Sequence, residues 1–281
     1  MEISNHNLID IAAQVRRDIL RMTNACNSGH PGGSLGCTDL FVALYFKIMN
    51  INITFDMDGK NEDLFFLSNG HISPVFYSVL ARRGYFPISE LGSFRKLNSR
   101  LQGHPTPHEH LPGIRIASGS LGQGLSVAIG AAISKKINGD KSIVYVLMGD
   151  GELQEGQIWE AAMAAAHHRV DNLIGIVDWN GKQIDGPNDE VISLGDLKGK
   201  WQSFGWEILE TNGNNMENLI AALENAKNLC GHTKPIIILM HTKMGFGVDF
   251  MEDDHKWHGI APNNEQLEIA LGQLTSSLSD Y

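Results

Sequence analysis

The stretch LMGDGELQEGQIWEAAMAAAHHRVDNLIGIVDWNGKQIDG, residues 147–186, sets Gly149-Asp150-Gly151 directly after one apolar run and Asn180 at the end of the next. The first run, SIVYVLM (142–148), reads as a strand, residues 155–168 as a helix and NLIGIVD (172–178) as a second strand. That is a strand–helix–strand unit, and a carboxylate and a carboxamide stand at its two strand ends.

The alternation extends in both directions. Toward the N-terminus, apolar residues keep helical spacing from 8 to 22, and NACNSGHPGGSLG then predicts a loop, because its glycines and proline oppose helix. TDLFVALYFKIM (38–49) reads as a helix, DLFFLS (63–68) as a buried strand opening onto NGH, and 73–83 as a helix. GSLGQGLSVAIGAAISKK begins on glycines and becomes a small-residue helix able to approach a sheet closely. Toward the C-terminus follow a short strand WEIL (206–209), a helix over 215–228, a last strand PIIILM (235–240) and a helical tail over 264–275. Near-continuous apolar strands alternating with helices predict an α/β, doubly wound, mainly parallel sheet with helices on both faces, in one domain spanning 1–281. Ligands in such folds sit beyond the carboxyl ends of the strands, where SNGH, GDGE and DWNGKQIDG all fall.

Composition narrows the partners. The chain has 281 residues, 42% hydrophobic and 19% charged, with a formal net charge of −10. No Lys/Arg stripe offsets the acids, which argues against nucleic acid and against an anionic membrane surface. Cys26, Cys37 and Cys230 are odd in number and match no metal spacing, as expected of free thiols in a reducing compartment. The N-terminal stretch lacks the apolar core of a signal peptide and no run approaches the ~20 apolar residues of a membrane span, so a cytoplasmic location is expected.

The chemistry at the strand ends is specific in type. Asp150 and Asn180 are hard oxygen donors, Gly149 and Gly151 permit close backbone approach, and Mg²⁺ takes few protein oxygens together with phosphate oxygens. Taken alone, an Asp between glycines is also a common turn. GSLGQG is not G-x-G-x-x-G and no P-loop motif occurs, which removes the usual nucleotide readings. GHPTPHEH (103–110) reads as solvated loop histidines rather than a metal cluster, and the adjacent His167 and His168 face different ways on their helix.

Considered together, NSGHPGGSLG (27–36), LSNGH (67–71), QGHP (102–105), GSLGQGLS (119–126), GDGELQEGQIWEA (149–161), DWNGKQIDG (178–186) and WHGIAP (257–262) resemble the transketolase family of thiamine diphosphate enzymes along nearly the whole chain. The resemblance implies that Asp150, the Asn180 side chain and the Lys182 carbonyl hold Mg²⁺, or Ca²⁺ or Mn²⁺ in its place, and through it the cofactor's diphosphate. One carboxylate with one neutral amide limits repulsion beside that diphosphate. Gly149 and Gly151 would let the diphosphate lie against the backbone, and His71, Gly119 and Leu121 would border the cofactor. His30, His104 and His258 are implied as catalytic, His258 also touching the cofactor, because cleavage next to a ketose carbonyl needs proton removal and oxyanion stabilisation. Two departures stand out: Lys182 where the family often has an apolar residue, and Ser120 for a frequent proline.

Glu155 and Glu160 match family glutamates at a subunit interface, and equally suit the ordinary acids of a helix N-terminus. A full-length family member continues with two further domains, the first of which supplies the glutamate that activates the pyrimidine ring. The resemblance therefore implies a partner chain of about 300 residues, two domains' worth, in a heterotetramer that moves a two-carbon ketol unit between anionic sugars. Three alternatives stay open: a deoxyxylulose phosphate synthase-like subunit, a 2-oxo acid dehydrogenase alpha-like subunit, or a non-catalytic cofactor-binding regulatory subunit.

Overall fold

The computed structural model describes residues 5–281; Met1–Ser4, part of the stretch expected not to be a leader, lie outside the described residues. Five strands form one parallel sheet: β1 (Leu64–Leu67), β2 (Val144–Gly149), β3 (Leu173–Trp179), β6 (Glu207–Asn212) and β7 (Ile236–His241), in the order β1-β2-β3-β7-β6. A two-stranded antiparallel ribbon, β4 (Lys182–Gln183) and β5 (Gly186–Pro187), hangs beyond the end of β3.

Strand periodicity divides the apolar residues between two cores. Val144, Val146 and Met148 point to one face, where they meet Leu125, Ala128 and Ala132 of α5 (Gly124–Ile137), Ile158, Ala161 and Ala165 of α6 (Gly156–His167), and Trp201 of α8 (Leu197–Ser203). Tyr145 and Leu147 point to the other, against α1 (Asn5–Ala25), α3 (Thr38–Ala43), α4 (Ser73–Arg83) and α9 (Met216–Leu229). Both faces are covered over β1, β2, β3 and β7, so those strands carry no polar alternation. Burying one Leu, Ile or Val fully contributes about 1.5–3 kcal/mol, and the two cores together dominate the stability.

Right-handed crossovers explain the faces taken by α5, α6, α8 and α9, while α4, also between β1 and β2, packs on the face opposite α5. The chain steps in one direction from β1 through β2 and β3, which puts α5, α6 and α8 on one side. It then passes over the β7 position to β6 and turns back, which puts α9 on the other. The strand carboxyl ends form a shelf, with Gly149 beside Asp178 and Asp178 beside Met240 in register.

Most elements lie within a few residues of their expected bounds, and three features differ. The stretch expected as a loop at 24–36 contains a helix, α2 (Pro31–Gly36), all six residues of which are buried. Proline at its first position is pre-set for helix and needs no N–H there, so the residue that opposes helix elsewhere starts one here. Strand β6 runs six residues, because it pairs with β7 along its length although its side chains are only half-buried. The region 182–203, without an expected element, holds the β4–β5 ribbon, α7 (Asn188–Val191) and α8. The tail helix is α10 (Asn264–Gln273), started by an Asn263–Gln266 capping box. Among the described residues, no helix is long and apolar enough to cross a membrane, and Cys26, Cys37 and Cys230 are free thiols.

Candidate active site

A cavity of about 310 Å³ opens over the carboxyl ends of β1, β2 and β3. Its lining includes every residue expected of the site from sequence: His30, His71, His104, Gly119, Leu121, Gly149, Asp150, Gly151, Asn180, Lys182 and His258. Each arrives on a separate local device. His30 is the N-cap of α2 and makes no side-chain cap, so its ring is free to face the cavity. His71 lies in a 3-10 turn after β1, and His258 closes another after β7.

The glycine of SNGH has a steric reason. A Cβ on Gly70 would overlap the carbonyl oxygen of Ser118, so only glycine lets the His71 turn meet the loop that carries Gly119 and Leu121.

At the strand ends the donor oxygens are held by backbone. Asp150 Oδ1 accepts from the Gly151 N–H at 2.7 Å and Oδ2 from the Gly181 N–H at 2.6 Å. Asn180 Oδ1 accepts from the Lys182 N–H at 2.9 Å, while its Nδ2 donates to Asp178 Oδ2 at 2.9 Å. Burial, and after it the neighbouring Asp178, pushes the Asp150 carboxyl up to about 7. This buried acidic pair calls for a positive charge. Among the described residues, no group of three His, Cys, Asp or Glu side chains is arranged to hold a metal by itself. One carboxylate, one amide oxygen and one backbone carbonyl instead suit a Mg²⁺ that completes its octahedron with phosphate oxygens and water. A Cβ on Gly151 would come within 3.2 Å of Gln183 Cβ and narrow the place where a diphosphate would rest. The residues present fit a metal-bridged diphosphate.

The four histidines form a second, separate cluster. The rings of His71 and His258 stack at 4.9 Å, and His30 lies 5.1 Å from His71, 5.6 Å from His258 and 6.2 Å from His104. Burial is the first cause that lowers all four, taking His30 to about 4, with the neighbouring histidines adding to the effect at His30 and His71. All are therefore neutral imidazoles at neutral pH, each with one nitrogen able to accept and one to donate. Nδ1 of His30 and Nδ1 of His258 are buried without a protein partner, as is Oδ1 of Asn69 on the cavity wall.

Some lining residues carry little signal in the sequence. Glu152 is buried and accepts from the Ser68 hydroxyl, the Gly122 N–H at 2.8 Å and the Gly149 N–H at 3.1 Å, tying β1, β2 and the Gly119 loop together. Its one signal is its place inside GDGE. Asp178 has only its place at the head of DWNGKQIDG, and Met244, in the turn after β7, has none. Glu155 and Glu160 are exposed and lie outside the cavity.

The chain matches the model of the transketolase thiamine diphosphate-binding domain over residues 9–275. The chain belongs to the transketolase family. Its relatives include an apulose-4-phosphate transketolase subunit of Phocaeicola vulgatus, 37% identical over 94% of this chain and 92% of that one. The 6-deoxy-6-sulfo-D-fructose transketolase subunit of a Clostridium species is 37% identical over 92% of this chain and 93% of its own length. Among solved structures, transketolase from Campylobacter jejuni superposes with a TM-score of 0.87 at 34% identity, covering 97% of this chain and 43% of that chain. Transketolase from Leishmania mexicana gives 0.89 at 30% identity, with 100% and 43% covered. The doubly wound parallel fold of a transketolase N-terminal domain is thus the fold of this chain.

Proposed function

We propose that the chain is the diphosphate-binding subunit of a split transketolase, which with a partner subunit transfers a two-carbon ketol unit from a ketose to an aldose. One observation carries the reading: the chain matches relatives named as transketolase subunits along nearly their whole length, yet spans only 43% of the undivided transketolases it superposes on. The cofactor is thiamine diphosphate with Mg²⁺. When bound, it supplies the nucleophilic carbon that takes up the ketol unit.

The chain's own residues bind and orient that cofactor and move protons around it. Asp150, the Asn180 amide oxygen and the Lys182 carbonyl hold Mg²⁺, and Gly149 and Gly151 give the diphosphate a flat backbone bed. Gly119 and Leu121 form one wall for the rings and His71 borders the diphosphate. His30, His104 and His258 are the catalytic groups: as neutral imidazoles they take a proton from a substrate hydroxyl and return one to a developing oxyanion. The partner subunit covers the pyrimidine end and supplies the glutamate that activates it, in a heterotetramer with Glu155 and Glu160 near the shared interface. The two relatives are named for a sugar phosphate and a sulfosugar, which favours a sugar with an anionic end. The enzyme works in the cytoplasm.

Calorimetric titration of thiamine diphosphate into the assembled pair tests the binding half of this reading. Affinity should depend on Mg²⁺ and disappear in Asp150→Ala, whereas unchanged affinity in that variant would sink it. A coupled assay offering a donor ketose or pyruvate then separates ketol transfer from the pyruvate-using members of the wider cofactor class.

A further inference from the structure

We infer that Asp178 is a positioning residue, which decides that the oxygen of the Asn180 carboxamide, and not its nitrogen, faces the metal position. The inference rests on the cofactor reading above. Asp178 ends β3 two residues before Asn180, is 2% exposed, and has no cationic partner among the described residues. Burying a carboxylate in this way is costly, and an apolar side chain would fill the same strand end at lower cost. The position needs a reason beyond packing.

Its hydrogen bonds supply one. The Thr242 hydroxyl donates to Oδ1, Asn180 Nδ2 donates to Oδ2 at 2.9 Å, and the Cys37 thiol donates as well. These donors come from three segments: the end of β7, the loop after β3, and the junction between α2 and α3. Each Asp178 oxygen already meets a donor, so the carboxylate is the accepting partner on both sides. Whichever way the Asn180 amide turns, only its NH₂ end can therefore face Asp178.

The amide oxygen is thereby driven to the other side, where the Lys182 N–H meets one lone pair at 2.9 Å. The second lone pair is left for the cavity, alongside Asp150. Without the acceptor at 178 the amide could turn its nitrogen toward a cation, exchanging an attractive dipole for a repulsive one. Cys37 and Thr242 act one step further out, by holding the Asp178 carboxylate in its plane.

The test measures metal affinity instead of turnover. Mn²⁺ is titrated by electron paramagnetic resonance into the chain with its partner subunit and thiamine diphosphate, in the wild type, Asp178→Leu and Asp178→Asn. Leu fills similar space and cannot accept, and should weaken Mn²⁺ by about tenfold or more, the usual effect of losing an outer-shell partner. The thermal midpoint of the metal-free chain should change little. Asn can still offer an oxygen to Asn180 while the Thr242 hydroxyl turns to accept, and should stay within about threefold of wild type. Equal affinity in Leu and wild type overturns the inference, as do equal losses in Leu and Asn, which would make the charge and not the acceptor matter. A role in packing alone would lower the thermal midpoint and leave Mn²⁺ affinity unmoved. Should the Leu variant not fold, Asp178→Ser, whose hydroxyl both gives and accepts, replaces it: affinity between wild type and total loss supports the inference, and wild-type affinity overturns it. Absence of Mn²⁺ binding in the wild type would sink the cofactor reading itself, a separate failure.

Discussion

The strand-end cradle and the histidine cluster line one cavity and are built on opposite plans. In the cradle, both oxygens of Asp150 and the oxygen of Asn180 each accept a backbone N–H, from Gly151, Gly181 and Lys182, so their positions are set before any ligand arrives. The histidines come from four separate loops and touch mainly one another, with Nδ1 of His30 and of His258 left unsatisfied. The first arrangement suits a group that is held, the second a group that is transformed. A pre-oriented cradle fixes a diphosphate at little reorganisation cost, whereas unpaired imidazole nitrogens keep their capacity for the substrate.

The division can be broken most severely at Asp150. Asp150→Ala should leave the fold intact and abolish Mg²⁺-dependent cofactor binding, which calorimetry reads, because a strand-end ligand serves the site more than the core. His30→Ala and His104→Ala should do the reverse, retaining cofactor and lowering turnover by about a hundredfold. His108→Ala, in the same loop as His104 but outside the cavity, serves as the control and should change turnover little. Small and equal effects at all three would reduce the cluster to ordinary loop histidines.

A smaller effect sharpens the comparison through pH. His30 is held at about 4 by burial against an ordinary 6.5. In the folded chain the ring stays neutral as pH falls to about 4, while in the unfolded chain it gains a proton below about 6.5, so the unfolded state binds more protons and stability is lost as pH drops through that window. His30→Asn should flatten this part of the profile, measured as urea midpoints at about pH 7 and about pH 5. An unchanged slope would mean that His30 is charged in the folded chain. The smallest effect is expected at Glu155→Gln: exposed and outside the cavity, it should leave cofactor affinity in the assembled pair unchanged.

The same contrast governs what is legible in the sequence. Strands such as VYVLM and IIILM are apolar on both faces and punctuated by glycine and polar residues, so the parallel sheet and the loops at its ends can be read directly. The site histidines, catalytic His30, His104 and His258 and cofactor-bordering His71, are legible as motifs, since each sits beside a glycine or proline with a spacing of its own. Their convergence is tertiary and has no local signature. The role of Asp178, though it heads DWNGKQIDG, stays hidden because a buried acid at a strand end resembles any strand terminus until Thr242, 64 residues away, is brought against it. Helix α2 is masked because its proline serves as a first residue and not as a breaker. The β4–β5 ribbon escapes because two-residue strands carry no periodicity.

On this reading, the chain binds and orients a cofactor whose site is completed by a second polypeptide. A ketol-transfer assay on the purified chain alone, on its partner alone and on the mixture, each with thiamine diphosphate, Mg²⁺ and a phosphorylated or sulfonated ketose donor, tests it directly. The chain alone should be inactive and the mixture active. Full transketolase activity from the partner-free chain would contradict the claim.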